Sequence, residues 1–204
     1  MGFLDSIERK CAFLALPNLT LHWTLGQILV FGLSLLKPEI LYHFLFIPQK
    51  VLEGEIWRLG SFLLAPPVAA HPLFLIIIWY WFWILGREVE GMIGDFRYTL
   101  FMLLNTLTTV GLAFLAPLGV YSNAFILSTV FLVFALIKPN FEVLLFFILP
   151  VKFKWLAGLI WLGYGYILFT SPAWNEKLMV IAIVLSFLIF FGKDLWLKLR
   201  EMKH

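Results

Sequence analysis

The chain has 204 residues, of which 62% are hydrophobic, 18% aromatic and 13% charged, with a formal net charge of +3. Soluble domains run near half apolar, so these figures exclude an ordinary soluble protein and call for one embedded in a lipid bilayer. The basic residues are scattered and form no run that tracks a phosphate backbone, so nucleic acid is not an expected partner.

The first twenty residues are mixed in charge and lack a small-residue cleavage site after an apolar core, so no removed leader is expected. Gly2 and Ser6 fit a myristoylation pattern too short to weigh heavily. Cys11, the lone cysteine, makes no intramolecular disulfide and cannot complete a thiolate metal site. A crossing helix takes about 20 mostly apolar residues. Apolar length and charged punctuation predict six such helices, over about 20–36, 72–91, 97–116, 119–137, 153–170 and 177–194. The first is diluted by His22, Gly26 and Gln27 and stopped by Lys37 and Pro38. Residues 38–71 are too long for a turn and too apolar for a free linker, and are read as a structured loop lying partly in the interface. In the second helix Trp79, Trp81 and Trp83 alternate and cannot share one face, so at least one is expected to meet lipid. In the third, Asn105, Thr106, Thr108 and Thr109 form the densest intramembrane polar group, suited to interhelical hydrogen bonding or to contact with a client. Gly158, Gly163 and Gly165 in the fifth helix, with Ala182 and Ser186 in the sixth, are read as sites of close helix packing.

Cytoplasmic loops carry the excess of Lys and Arg. Placing both termini in the cytoplasm puts eleven of these residues on that side and four on the other (Lys37, Lys50, Arg58 and Lys177). One all-α, six-helix membrane domain accounts for residues 1–204, with its core at about 20–195.

Three stretches, in order, carry a resemblance. Glu53 to Leu59 contains Trp57 and Arg58 after a glycine, Gly54. Gly86, Arg87 and Glu90 close the second helix and are followed by Gly94, Asp95, Phe96, Arg97 and Tyr98. Pro139, Asn140, Val143 to Phe147 and Pro150 to Leu156 lie between the fourth and fifth. Singly they are ordinary: Trp and Arg anchor helices at interfaces, and an Arg and a Glu one turn apart can pair. Together and in this order they resemble the rhomboid-like superfamily, with features shared by the derlins.

That resemblance implies a six-helix rhomboid-like bundle and points to Ser122 as the counterpart of the proteases' serine nucleophile. The proteases carry it in a G-x-S-G motif and a base histidine on the sixth helix. Here Val120 and Asn123 replace the two glycines and are expected to close the oxyanion space. The four histidines are His22, His43, His71 and His204, none of them in the sixth helix. A serine hydroxyl is a weak nucleophile without an adjacent base. The second helix is aliphatic (Leu75 to Ile78) where the proteases place side-chain donors, and an oxyanion hole needs donors in place beforehand. Lys138 and Glu142 sit at the far end of the fourth helix and cannot reach Ser122. His71, beside Pro72, is read as structural.

The expectation is therefore a catalytically silent, rhomboid-like pseudoprotease without metal or cofactor. It binds a transmembrane segment or membrane-protein client in the bilayer, with Asn105 and Asn123 as candidate client contacts, and the derlin likeness implies membrane-protein quality control. The plasma membrane of a prokaryote is the first location and the endoplasmic reticulum the alternative; oligomeric state is left open. An intramembrane serine protease with an unusual site at Ser122 is the main alternative. A small transporter or channel is the second, disfavoured because about 99–137 holds no ionisable residue and no broken-helix pair is visible.

Overall fold

The computed structural model describes residues 13, 15–67, 71–145 and 149–201. The readings that concern Gly2, Ser6, Cys11, His204 and the Phe146–Phe147 pair lie outside them.

Each of the six apolar stretches forms a helix. They are α1 (Leu19–Leu36), α5 (Pro72–Ile93), α6 (Asp95–Ala113), α7 (Ala124–Ile137), α8 (Phe153–Thr170) and α9 (Trp174–Glu201). Among the described residues α1, α5 and the Trp174–Gly192 part of α9 are long and apolar enough to cross a membrane. The other three fall short for separate reasons. Asp95, Arg97, Asn105 and four threonines make α6 less apolar, and Lys154, three glycines and two tyrosines dilute α8. At 14 residues α7 is shorter than a crossing requires.

The loop after α1 is a series of single turns: α2 (Ile40–His43), α3 (Pro48–Leu52), α4 (Arg58–Ser61) and a 3-10 turn (Phe62–Leu64). Proline starts α3, where its missing N–H costs nothing. Gly54 follows with φ +108, a conformation closed to most side chains. Between α7 and α8 lies an element absent from the sequence reading, a hairpin of β1 (Glu142–Leu145) and β2 (Leu149–Lys152). Its antiparallel register pairs Glu142 with Lys152, whose charges approach to 3.9 Å.

Two helix starts differ from expectation. The fourth helix begins at Ala124 instead of 119, because the Tyr121 N–H is drawn 2.9 Å to the Phe46 carbonyl, which holds that strand extended. The sixth begins at Trp174, ahead of the expected 177.

The short α7 is the central element, with Ile126, Thr129, Val130, Leu132, Val133, Phe134 and Ala135 all buried. Around it the core is aromatic: Phe101 packs on Phe190 and Phe191, and Phe134 on Phe153. Where α1 crosses α5, Gly86 permits the contact, since a Cβ there would lie 2.3 Å from Thr20 Cγ2. A second close approach fixes Gly119, where an added Cβ would stand 2.7 Å from Asn175 Cβ. The glycines of α8 behave differently. A Cβ at Gly158, Gly163 or Gly165 would meet nothing within 4 Å, which corrects the close-packing reading of these positions. Ala182 and Ser186 are buried, as close packing requires. Trp79 is buried with its indole N–H donating to Gln27 Oε1 at 3.0 Å, whereas Trp81 and Trp83 are half-buried.

Candidate functional site: an apolar cavity beside Ser122

Two local interactions set the start of α7. The Phe46–Tyr121 bridge brings the chain in extended, and the Ala124 N–H donates 3.1 Å to Ser122 Oγ, turning it into the helix. Ser122 is thereby left half-buried at a cavity of about 450 Å³. Ile77, Ile78, Trp81, Phe82 and Leu85 of α5 form one wall; Leu127, Val130 and Phe131 of α7 form a second; Ile160 of α8 and Pro67 complete it. A smaller cavity of about 310 Å³ between α7 and α8 shares Ala124, Ser128 and Ile160 with the first. Ser128 Oγ donates to the Phe125 carbonyl at 2.5 Å and also bonds the Tyr164 hydroxyl, tying α7 to α8.

The chemistry of the lining is plain. Among the described residues that line it, the only hydroxyls are those of Ser122 and Ser128, and no side chain is ionisable. His71 serves as N-cap of α5, its Nδ1 accepting from the Leu73 N–H at 3.2 Å. His22 Nδ1 lies 2.9 Å from the Asn18 carbonyl, and His43 ends α2. Lys138 Nζ pairs with Glu88 at 2.9 Å. Neither these groups nor Glu142 line the cavity. Among the described residues no three His, Cys, Asp or Glu side chains cluster as a metal site.

The two residues that replace glycines near Ser122 do not do what the sequence implied. Val120 is 45% exposed and is not part of the lining; its carbonyl accepts from Asn175 Nδ2 at 3.0 Å. Asn123 is buried, but its amide turns away from the cavity to donate to the carbonyls of Phe62, Leu63 and Ala65 at 2.8 to 2.9 Å. Asn105 is buried too, donating to the Phe101 carbonyl at 2.8 Å and accepting from Ser186 Oγ at 2.7 Å. Of the two residues expected to contact a client, neither lines the cavity, and both side chains bond within the protein, where lipid offers no alternative partner.

The motif residues divide in the same way. Trp57 is 52% exposed and suited to an interface, whereas the neighbouring Arg58 is fully buried. Arg58 Nε donates to Glu55 at 2.8 Å, and Nη1 donates to the carbonyls of Tyr42 and Leu45 at 2.5 and 2.6 Å. Nη2 lies 2.7 Å from Glu55 but is not aligned for a hydrogen bond, and the guanidinium stacks over the Tyr42 ring. One buried cation thus gathers the turns from α2 to α4. Glu90 does not pair with Arg87, which is exposed; its Oε1 accepts the Leu19 N–H at 3.0 Å, satisfying one of the open donors that begin α1.

Sequence reasoning missed a set of residues on α1. Thr20, Trp23, Thr24, Gln27 and Ser34 are all buried on it. The signal was present, since these positions recur at helical spacing within an apolar stretch, and polar groups on such a helix face protein. Gln27 had counted only as a dilution of the span. In comparisons with known proteins, no family model matches this chain, and neither does any curated protein.

Proposed function

We propose that this protein is a rhomboid-like pseudoprotease of six crossing helices. It binds a transmembrane segment or membrane-protein client from within the bilayer and does not cut it. The single observation that carries this reading is the cavity beside Ser122. It is large, bounded by three helices and Pro67, and lined by aliphatic and aromatic side chains that match the surface of a membrane helix. The same lining brings no proton acceptor to Ser122, whose oxygen already accepts a backbone N–H. Hydrolysis at a serine requires such an acceptor and donors aimed at the oxyanion. The α6, α7 and α8 helices cross as well in this reading, shielded or supported by their neighbours, with both termini cytoplasmic in a prokaryotic plasma membrane.

The test is photo-crosslinking in phospholipid vesicles, with a photoreactive group in place of Ile77 and a labelled single-pass membrane protein as probe. The expected result is a crosslink that excess unlabelled segment competes away, with the probe recovered intact. Cleavage of the probe that disappears in Ser122→Ala would replace this reading with a protease; absence of any crosslink would remove the client-binding role.

A further inference from the structure

The carbonyls of Leu63 and Ala65 lie at the end of a short, half-buried 3-10 turn packed against α1, and the last carbonyls of any helical turn lack partners of their own, whereas the Phe62 carbonyl at its start already accepts the Ala65 N–H at 3.2 Å. In an apolar surrounding an unpaired carbonyl is costly. Here side chains supply the donors. Trp23 Nε1 and Gln27 Nε2 from α1 both reach the Leu63 carbonyl, and Asn123 Nδ2 reaches Phe62, Leu63 and Ala65. Gln27 Oε1 in turn accepts from Trp79 on α5. Three helices are thus joined through one backbone segment.

Asn123 occupies the N-cap position of α7, where an Asn side chain ordinarily accepts from the helix's own first N–H groups. It makes no such bond, and Ser122 accepts from Ala124 instead. The amide N–H groups are spent on the incoming segment. That segment leads within two residues from Ala65 to Pro67, a wall of the cavity, and Asn123 adjoins Ser122, which also lines it. We infer that Asn123 is the positioning residue that sets the width of this cavity, and so the bulk of the transmembrane side chains it accepts, by fastening the Phe62–Ala65 segment to α7. The identity of the occupant rests on the function proposed above; the fastening does not.

The full chain, in a Cys11→Ser background and in phospholipid vesicles, is offered two single-pass probes that differ only in having alanine or phenylalanine at the central positions. Crosslinking through Ile77 measures the preference, and maleimide labelling of Ala65→Cys measures freedom of the segment. In the parent the alanine probe is preferred. Asn123→Ala shifts that preference toward phenylalanine by roughly tenfold, the scale on which a pocket discriminates by one or a few methylenes, and labelling accelerates. Pro67→Ala, which alters the same wall and leaves the fastening intact, shifts the preference in the same direction without faster labelling, and Asn123→Ser, whose side chain is too short to hold the three carbonyls, is read in the same way if Asn123→Ala does not fold. An unchanged preference in the folded Asn123 variant, whether or not labelling accelerates, overturns the inference by reducing Asn123 to a structural tie. Failure of the parent to crosslink either probe removes client binding itself, and the two failures are thereby told apart.

Discussion

The helices α8 and α9 are neighbours in the fold, yet they are held in opposite ways. α9 buries Met179, Val180, Ala182, Ile183, Ser186, Phe187 and Phe191 against the core and shares a hydrogen bond with Asn105. α8 buries only Phe153 and Tyr164, leaves its glycines in open space, and flanks both cavities. The difference teaches that polar side chains fix the geometry in this protein, because apolar helices gain little from one another when lipid is the alternative. Where such ties are dense, between α1 and α5 and between α6 and α9, the packing is closed. Where they reduce to the Ser128–Tyr164 pair, space remains for an occupant.

The comparison breaks most severely if the buried ties are removed. Arg58→Met leaves Glu55 and two carbonyls without their cation, and the expected loss is about 3 to 5 kcal/mol, the cost of breaking a buried charge pair, read as a fall in unfolding midpoint in detergent. Gly86→Ala drives a methyl into Thr20 and is expected to cost about 1 to 3 kcal/mol, as overpacking does. Adding Thr20→Ala should restore part of that loss, and two additive single effects would mean that the helices do not meet there. A double-mutant cycle of Asn105→Leu with Ser186→Ala is expected to return a coupling near 1 kcal/mol, typical of interhelical hydrogen bonds in membranes. On the loose side the sign reverses. Gly158→Ala meets no neighbour and is expected to stabilise α8 slightly, by about 0.5 to 1 kcal/mol from reduced backbone entropy. A large loss there would show that α8 is as tightly packed as α9.

The smallest expected effect lies outside the helical core. The Lys50 ammonium, 2.6 Å from Glu53, holds that carboxyl below its ordinary range and is itself raised by it. A carboxylate with a lowered value contributes stability above its unfolded pKa and loses it as pH falls through the folded value. Acidification should therefore weaken α3 slightly, and Lys50→Gln should flatten that dependence. The pair is exposed, so the slope will be shallow.

Much of the framework was legible in the sequence. The six apolar runs became helices, because hydrophobic length and charged or Pro-Gly punctuation act locally, although the fourth starts five residues late and the sixth runs seven residues past its expected end. The Trp57–Arg58 and Gly86–Arg87 motifs also stood out as local patterns, but the helix crossing at Gly86 did not. What could not be read was which way each polar group faces. Asn105 and Asn123 were compatible with an inward bond and with an outward client contact, and Val120 with filling a cavity it does not line. Nor did the hairpin of β1 and β2 announce itself, since its strands are short and its neighbours are helices.

The sequence by itself determined a helical, apolar protein whose helices end where charge, proline or glycine interrupts them, since those limits depend on each residue and its near neighbours. Only the tertiary structure decided that Glu90 caps α1, that Arg58 gathers a loop from inside, and that Asn123 serves a segment sixty residues earlier. Those choices depend on which unpaired donor or carbonyl a distant part of the chain brings within about 3 Å, and in an environment without water each such group must find its partner inside the protein.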